Sequence, residues 1–227
     1  MNLNNEGYKI IDLKDIGKDI EQSFSDLKFD EYMGNGNRFR RFSQYKMNHD
    51  GKWKFEKLEH RPYMTFSKFN KVAGGIKRYY EPLQVDFTKW IGEAANEIPL
   101  DTADAWQINV HQYRVYTRPD LQGVTVPEGP HQDGHDFVMI AVIKRHKITG
   151  AKMSLFKLHD KDNAIFNYTL QDKQAALLND RELIHYVTDI VPDEDEGYRD
   201  IFVVAFSRWA DRWHGEEFEN KVAAETN

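Results

Sequence analysis

The stretch Pro130-His131-Gln132-Asp133-Gly134-His135-Asp136 leads directly into the apolar run Phe137-Val138-Met139-Ile140-Ala141-Val142-Ile143. A continuous apolar run rich in β-branched residues predicts a strand that is buried on both faces. A second run of this kind extends from Ile201 to Phe206. Strands of this type belong in the middle of a fold, so polar residues at their ends are expected to lie close to the core.

The composition indicates one globular unit. A chain of 227 residues with 40% hydrophobic residues can bury one substantial core. We therefore expect a single domain over 1–227, with a helical and β part at 1–103, a barrel at 104–208 and a C-terminal tail at 209–227. No apolar stretch is long enough to span a membrane and no leader pattern is present, which favours a cytoplasmic location. The sequence leaves the oligomeric state open, a homodimer included.

The periodicity of apolar residues predicts helices at 10–29 and 83–98. An Asp-Gly pair at 50–51 predicts a hairpin that joins strands 40–47 and 52–58. Six further strands are predicted at 104–116, 136–146, 151–158, 164–170, 182–191 and 198–208. Helices followed by many strands indicate a mostly β sandwich or barrel with flanking helices packed outside, in which a site faces inward.

A pair of metal-binding residue types stands in front of the first buried strand. His131 and Asp133 occupy alternate positions of an extended chain, so both side chains point to one face and one metal can accept both. The chain has no cysteine, and any metal must therefore be held by histidine and carboxylate. His185 shares a strand face with Leu183 and Val187. Taken alone, this position favours a buried histidine that is satisfied by hydrogen bonds. Together with His131 and Asp133, however, it favours a third metal ligand.

Two more positions suggest ligand contacts. Arg199 opens the last apolar strand, where its guanidinium needs an anion, either Asp200 or the carboxylate of a bound ligand. The even positions of strand 106–116 change from apolar to polar halfway along. This change fits either a strand that enters a polar cavity, where Gln112 and Arg114 contact a ligand, or a strand end that emerges into solvent.

With these residues in view, the C-terminal half resembles the Fe(II)/2-oxoglutarate-dependent dioxygenases, and more narrowly the bacterial isoleucine dioxygenase-like hydroxylases of free amino acids. The similar stretches are His131 to Val138, Glu182 to Thr188 and Tyr198 to Phe206. The spacing is specific, with a His 52 residues after Asp133 and an Arg 14 residues after that His. The likeness covers about 104–208. One departure is Gly150-Ala151, where relatives often have paired glycines.

The resemblance implies a double-stranded β-helix, a jelly-roll barrel related to the cupins, with catalytic iron held by His131, Asp133 and His185. It also implies 2-oxoglutarate as cosubstrate, its far carboxylate paired with Arg199, and O2 as oxidant. The implied reaction couples decarboxylation of 2-oxoglutarate to succinate and CO2 with C–H hydroxylation of an amino acid or related small metabolite. The polar residues expected near this substrate are Gln112, Arg114, His135 and Asp136.

Two other classes of protein remain open from the residues alone. The same barrel and metal occur in cupin-like enzymes that do not use 2-oxoglutarate, and Arg199 is the residue that separates the two. A non-catalytic β-barrel binding module would need no iron. The basic and aromatic segment 38–42 could then contact phosphates, although the net charge of −6 gives no general attraction to nucleic acid. We expect a small-molecule substrate and neither nucleic acid nor membrane as partner.

Overall fold

Antiparallel strands dominate the computed structural model, which describes residues 3–33 and 35–225. The strands are β1 (Tyr8–Asp12), β2 (Lys28–Phe29), β3 (Arg38–Asp50), β4 (Lys52–Lys57), β5 (Trp106–Thr117), β6 (Phe137–His146), β7 (Ile148–Gly150), β8 (Met153–Lys157), β9 (Phe166–Tyr168), β10 (Gln174–Asn179), β11 (Leu183–Val187), β12 (Ile190–Pro192) and β13 (Gly197–Arg208). The α-helices are α1 (Lys18–Ser23), α2 (Thr88–Ala95) and α3 (Glu216–Glu225). The predicted mostly β fold with flanking helices is confirmed.

The two apolar runs form the centre of the large sheet. Its strand order is β1-β10-β6-β13-β5-β3-β2, with β4 paired to β3. The strands β11, β8 and β9 form a second sheet, and β12 and β7 form a third. All of these pairings are antiparallel. The predicted hairpin at Asp50-Gly51 is confirmed, since β3 and β4 meet there.

The central strands β6 and β13 of the large sheet are buried on both faces, as the continuous apolar runs predict. One face of β6 places Met139, Ala141 and Ile143 against a layer formed by the helices and the segments that flank them. The other face places Val138 and Val142 inside the barrel, in contact with residues of the two smaller sheets. The ring of Phe202 on β13 stacks on Phe87, 4.6 Å away, just before α2. The sheet thus lies between a helical layer and the barrel interior.

The predicted helix at 10–29 is wrong in its regular structure. Its first part is strand β1, which pairs with β10, and only α1 and a short 3₁₀ turn at Phe24–Asp26 are helical. Asp15 has a φ of 57°, a conformation that ends regular structure for most residues. The apolar residues of the predicted helix are nevertheless buried in one layer: Leu13, Ile16, Ile20, Phe24 and Leu27. Their spacing identified buried positions correctly but not the backbone between them.

Other predicted boundaries change where the chain moves from one sheet to another. The second helix covers only α2 within the predicted 83–98. The predicted strand 182–191 is two strands, because β11 pairs with β8 and the chain then crosses to pair β12 with β7. Strand β10 was not predicted, since its Ala and Leu residues do not favour a strand over a helix. Gly150 and Ala151 both adopt positive φ, 80° and 54°.

The C-terminal segment predicted as a tail is ordered as far as it is described. A 3₁₀ turn at Trp209–Asp211 precedes α3, and Trp213 and Val222 are buried. Residues 226 and 227 of that predicted segment lie outside the described residues. Within the described part of the chain, no helix has the length and apolar character needed to cross a membrane.

Candidate metal and carboxylate site

The three residues predicted as metal ligands lie together. One ligand atom from each of His131, Asp133 and His185 falls within 4.8 Å of the others. The carboxylate of Asp133 lies between the two rings, with Oδ1 at 3.2 Å from Nε2 of His131 and Oδ2 at 3.8 Å from Nε2 of His185. The centroids of the two imidazole rings are 4.5 Å apart. This grouping is a donor set suited to one divalent cation.

Main-chain hydrogen bonds fix the separation of the two histidines. The amide of His131 donates to the carbonyl of His185 at 3.1 Å, and the amide of His185 donates to the carbonyl of His131 at 2.9 Å. The ring of His131 donates from Nδ1 to the carbonyl of Gly129 at 2.9 Å. Because a carbonyl can only accept, this bond selects the tautomer that leaves Nε2 free to bind a metal.

The carboxylate of Asp180 organises the loop that carries Asp133. It accepts hydrogen bonds from three successive main-chain amides, those of Asp133, Gly134 and His135, at 3.0, 2.7 and 2.9 Å. Its Oδ1 also lies 3.9 Å from Nδ1 of His185. Burial, followed by the nearby charge of Asp133, raises the pKa of Asp180 to about 7. Asp180 was not predicted from the sequence, where it is one acidic residue in a turn.

The protonation states of the triad suit metal binding. Burial alone would raise the pKa of Asp133, but the two neighbouring histidines lower it, so the carboxylate is anionic. Burial lowers the pKa of His185 to about 4, which keeps this imidazole neutral. For His131 the effect of burial is outweighed by Asp133, which raises its pKa to about 9. Binding of a cation therefore displaces a proton from His131.

The triad opens into a cavity with several cationic side chains. Arg38, Arg40, Arg78 and Arg199 line it, whereas its acidic lining residues are Asp133 and Glu128. Residues at alternate positions of β13 form one wall: Arg199, Ile201, Val203 and Ala205. Val187, two residues after His185 on β11, lines the same cavity, as expected from their shared strand face. The cavity therefore combines apolar walls with an excess of positive charge.

Arg199 reaches this cavity without an acidic partner. Its side chain is buried, and its Nε and Nη2 atoms have no hydrogen-bond partner among the described residues. Asp200, the alternative partner considered from the sequence, binds Arg114 instead, through two hydrogen bonds of 2.6 and 2.8 Å. Burial lowers the pKa of Arg199 to about 10. A buried guanidinium of this kind needs an anion from a ligand.

Of the four residues predicted to lie near a substrate, the structure brings only His135 to the cavity. Its Nδ1 lies 2.8 Å from Oγ of Ser207, and its ring centroid is 4.1 Å from that of Trp213. Asp136 instead accepts from the main-chain amide of Arg208 at 3.0 Å and pairs with Arg181. It does not line the cavity.

The placement of Gln112 and Arg114 corrects the reading of strand β5. Gln112 donates to Oγ of Ser23 in α1 at 2.7 Å, and Arg114 binds Asp200. The even positions of β5 pack on the helical layer, since Ile108 and Val110 belong to that core. The apolar residues at the even positions of β5 therefore identify the face that packs on the helices. The opposite face, which lines the barrel interior, is the polar one. The odd residues His111 and Tyr113 line the cavity.

Sequence reasoning also missed cavity residues from the N-terminal third. Tyr63, Asn70 and Arg78 line the cavity but belong to a segment with little regular structure. Arg38 and Arg40, which belong to the basic and aromatic segment 38–42 considered above, are also buried and line the cavity. The guanidinium of Arg40 lies over the rings of Tyr80, Tyr113 and Tyr63, 4.9 to 5.7 Å from their centroids. These two arginines therefore belong to the cavity wall rather than to an exposed basic surface.

Known proteins resemble this chain in sequence and in fold. Residues 21–205 match the model of a family described as 2OG-Fe dioxygenase. A curated relative, the 3(1)-hydroxy-L-isoleucine 4-dioxygenase of Pantoea ananatis (strain AJ13355), is 25% identical over 211 residues, which are 87% of this chain and 83% of the relative.

Two solved structures resemble the whole chain in fold. The crystal structure of a bsmA homolog from Methylobium petroleophilum PM1 aligns with a TM-score of 0.70 and 21% identity over 89% of each chain. The structure of IDO from Bacillus thuringiensis aligns with a TM-score of 0.70 and 16% identity, over 89% of this chain and 90% of that one. The shared architecture is the jelly-roll barrel.

Proposed function

The chain belongs to the 2OG-Fe dioxygenase family, and from that premise we propose that it hydroxylates a free amino acid or a closely related small metabolite. As a 2-oxoglutarate-dependent dioxygenase it uses Fe(II), 2-oxoglutarate and O2. Family membership removes the two rival classes considered above, a cupin-like enzyme without 2-oxoglutarate and a non-catalytic binding module.

The residues fit the metal that the family implies. Two imidazoles and one carboxylate, grouped on one side of a cavity, are the donor set typical of non-haem Fe(II) oxygenases, and His131 releases its proton when the metal binds. We therefore assign His131, Asp133 and His185 as the ligands. When bound, the iron supplies the activation of O2 that couples decarboxylation of 2-oxoglutarate to hydroxylation. Asp180 and the carbonyl of Gly129 hold the ligands in position.

The observation that carries the assignment of cosubstrate is the unpaired guanidinium of Arg199 in the same cavity. A buried arginine with a free Nε and Nη2 edge binds a carboxylate through two parallel hydrogen bonds. We propose that it holds the far carboxylate of 2-oxoglutarate. The apolar residues Ile201 and Val203, which follow it on β13, line the same cavity as Arg199 and the triad.

The amino-acid substrate is supported by the relative and by the charges in the cavity. The name of the relative gives a hydroxy-L-isoleucine as its substrate. An amino acid needs a cation for its carboxylate and an anion for its ammonium group. The cavity offers arginines for the first, and Glu128 is a lining carboxylate outside the metal triad for the second. His135, whose pKa burial lowers to about 4, adds a neutral polar group.

The metal ligands are tested by spectroscopy. Anaerobic Fe(II) and 2-oxoglutarate are expected to give the purified protein a weak visible charge-transfer band, and His131→Ala or His185→Ala should abolish it. A band that persists in both variants would show that the triad is assigned wrongly. The substrate is then sought by measuring succinate release across the common L-amino acids and their derivatives. If none raises succinate release above the substrate-free rate, the proposal of an amino-acid substrate fails.

The role of Arg199 is tested by steady-state kinetics. Arg199→Met should raise the KM for 2-oxoglutarate on the order of 10- to 100-fold, because it removes two hydrogen bonds to a charged group. Arg208→Met is a matched control on the same strand, since this arginine is exposed and outside the cavity. Equal values of KM for 2-oxoglutarate in the Arg199 variant and the control would refute the carboxylate clamp.

A further inference from the structure

Arg78 is a second buried arginine in the cavity for which the protein provides no acidic partner. Arg78 is 1% exposed and lines the same cavity as the metal triad. Its main chain is held rigidly, because Tyr63 and Arg78 exchange hydrogen bonds of 2.9 and 3.0 Å. Its guanidinium lies over the Tyr63 ring at 4.4 Å from the centroid. The charged group is thus positioned by both its backbone and an aromatic ring.

The unpaired atoms of Arg78 form the edge that arginine uses to bind a carboxylate. Both Nε and Nη2 are buried without a hydrogen-bond partner, and among the buried arginine atoms of the described residues only those of Arg199 show the same pair of unpaired positions. Arg114 shows what the same edge does when it is paired, since its Nε and Nη2 hold the two carboxylate oxygens of Asp200. Leaving two charged donors buried and unpaired is costly.

The acidic groups nearest to the cavity are engaged elsewhere. Asp30 pairs with Arg40 and accepts from the hydroxyl of Tyr80. Asp133 lies between the two histidines, and Glu128 accepts from the side-chain amide of Asn70 at 2.7 Å. None of these contacts involves Arg78. Two arginines that line one cavity therefore each leave the same edge unpaired, and 2-oxoglutarate uses only one carboxylate remote from the metal.

A neutral donor lies next to Arg78. Nδ1 of His111 is 2.7 Å from Nη2 of Arg40, which can only donate, so the proton of the neutral ring is on Nε2. The His111 ring packs edge-on against the Tyr63 ring, with centroids 4.4 Å apart. The guanidinium of Arg78 lies over the same Tyr63 ring. Burial, together with the charges of Arg40 and Arg78, holds the pKa of His111 well below its usual range. This part of the cavity is therefore rich in hydrogen-bond donors.

We propose that Arg78 binds the carboxylate of the amino-acid substrate through Nε and Nη2, while Arg199 binds 2-oxoglutarate. The inference rests on the proposed function and adds a specificity residue to it. The positions of the two arginines in the chain agree with this division of roles. Arg199 lies on a central strand of the barrel, whereas Arg78 lies in an irregular segment packed over the barrel, and such segments commonly carry substrate recognition.

The experiment compares each L-amino acid that stimulates succinate release with its primary amide. The amide keeps the ammonium group and side chain but removes the negative charge that Arg78 would bind. Wild-type enzyme should prefer the acid over the amide on the order of 10- to 100-fold in kcat/KM. Arg78→Met should lose most of that preference, and Arg78→Lys should regain only part of it, because an ammonium cannot bind both oxygens in a fork.

Three controls separate a binding role from a structural one. The KM for 2-oxoglutarate in the absence of amino acid should change less than about threefold in Arg78→Met, which shows that the cavity is intact. Arg61→Met removes a nearby guanidinium that pairs with Glu219 outside the cavity, and it should keep the preference for the acid. Isothermal titration of the stimulating amino acid into protein loaded with Zn(II) and 2-oxoglutarate measures binding without turnover. Arg78→Met should bind the amino acid more weakly than the wild type in this titration.

The outcomes distinguish the two levels of the proposal. If an amino acid stimulates the wild type but Arg78→Met still prefers the acid, the role of Arg78 is overturned and the proposed function stands. A higher KM for 2-oxoglutarate in Arg78→Met, with acid preference unchanged, would instead assign this arginine to the cosubstrate. If no amino acid stimulates the wild type, the proposed function fails, and the assignment of Arg78 fails with it.

Discussion

At the scale of single residues, the site depends on how firmly the loop from His131 to His135 is held. The amide of His131 pairs with His185 on β11, whereas the amides of Asp133, Gly134 and His135 donate to one buried carboxylate, that of Asp180. Gly134 stands directly after Asp133, the proposed ligand, and has a φ of 90°, which side chains rarely adopt. A Cβ at this position would lie 2.4 Å from the ring of Phe69. Only glycine allows the loop to pass this ring.

We therefore expect Gly134→Ala to disturb the metal site. The added methyl group must displace either Phe69 or the loop, so stability should fall by about 1–3 kcal/mol and Fe(II) affinity should fall as well. Urea unfolding and metal titration measure the two effects. Gly51→Ala is a matched control, because Gly51 also has positive φ but no atom within 4 Å of the added Cβ. If both variants bind Fe(II) equally well, the close approach of Phe69 is unimportant for the site.

At the scale of secondary-structure elements, β5 shows how one strand serves two different interiors. Its even positions contact the helical layer through Ile108, Val110 and Gln112, and its odd positions line the cavity through His111 and Tyr113. In many β-proteins the apolar face of a strand is the face that turns inward. This barrel encloses a polar site, and the usual assignment of faces is therefore reversed.

The assignment of faces predicts the behaviour of Arg114. Arg114→Met leaves the carboxylate of Asp200 buried without its partner, and we expect a loss of stability of about 3 kcal/mol. The KM values for 2-oxoglutarate and for the amino acid should remain within about twofold of wild type, because the side chain does not reach the cavity. Thermal unfolding and steady-state kinetics test the two halves. A large rise in the amino-acid KM in a stable protein would restore Arg114 as a substrate residue.

At the scale of the whole molecule, the C-terminal helix and the irregular N-terminal segment close one side of the barrel together. Trp213, Phe218 and Val222 pack with Met64 and Phe66 in a cluster of their own. Glu219 of α3 pairs with Arg61 at 2.6 Å and with Lys77 at 2.9 Å. Because the Trp213 ring also packs against His135, this closure extends to the loop that carries the proposed ligands His131 and Asp133.

The closure predicts a dependence of stability on pH. Burial alone would raise the pKa of Glu219, but the hydrogen bonds from Arg61 and Lys77 outweigh it and lower the pKa below its ordinary value of 4.5. A depressed pKa stabilises the folded protein above pH 4.5, and this stability is lost as the pH falls through the lower, folded-state value. The wild type should therefore lose more stability between pH 6 and about pH 3 than Glu219→Gln does.

Urea unfolding across that range provides the measurement. Glu217→Gln, at an exposed position of the same helix, is the control and should follow the wild type. Parallel stability curves for Glu219→Gln and the wild type would mean that the contacts of Glu219 contribute nothing to the closure.

The sequence by itself determined the features that depend on local pattern. Continuous apolar runs predicted the central strands β6 and β13, the Asp-Gly pair predicted the β3–β4 hairpin, and alternation placed His131 and Asp133 on one face. With His185 and Arg199 at fixed spacing from that pair, the sequence resembles a known family, and that resemblance implied the metal and its cosubstrate. Each of these inferences requires only neighbouring residues or a motif of fixed spacing.

Only the tertiary structure decided which side of each strand is the functional one and which distant segments complete the cavity. The prediction placed Gln112 and Arg114 on the cavity side of β5, but both lie on the opposite face. The orientation of β5 depends on the helices packed behind it. Arg78, His111 and Asp180 were not predicted because an unpaired guanidinium, a buried neutral ring and a carboxylate that accepts three amides are defined by their partners. Those partners are distant in the sequence, and folding alone brings them together.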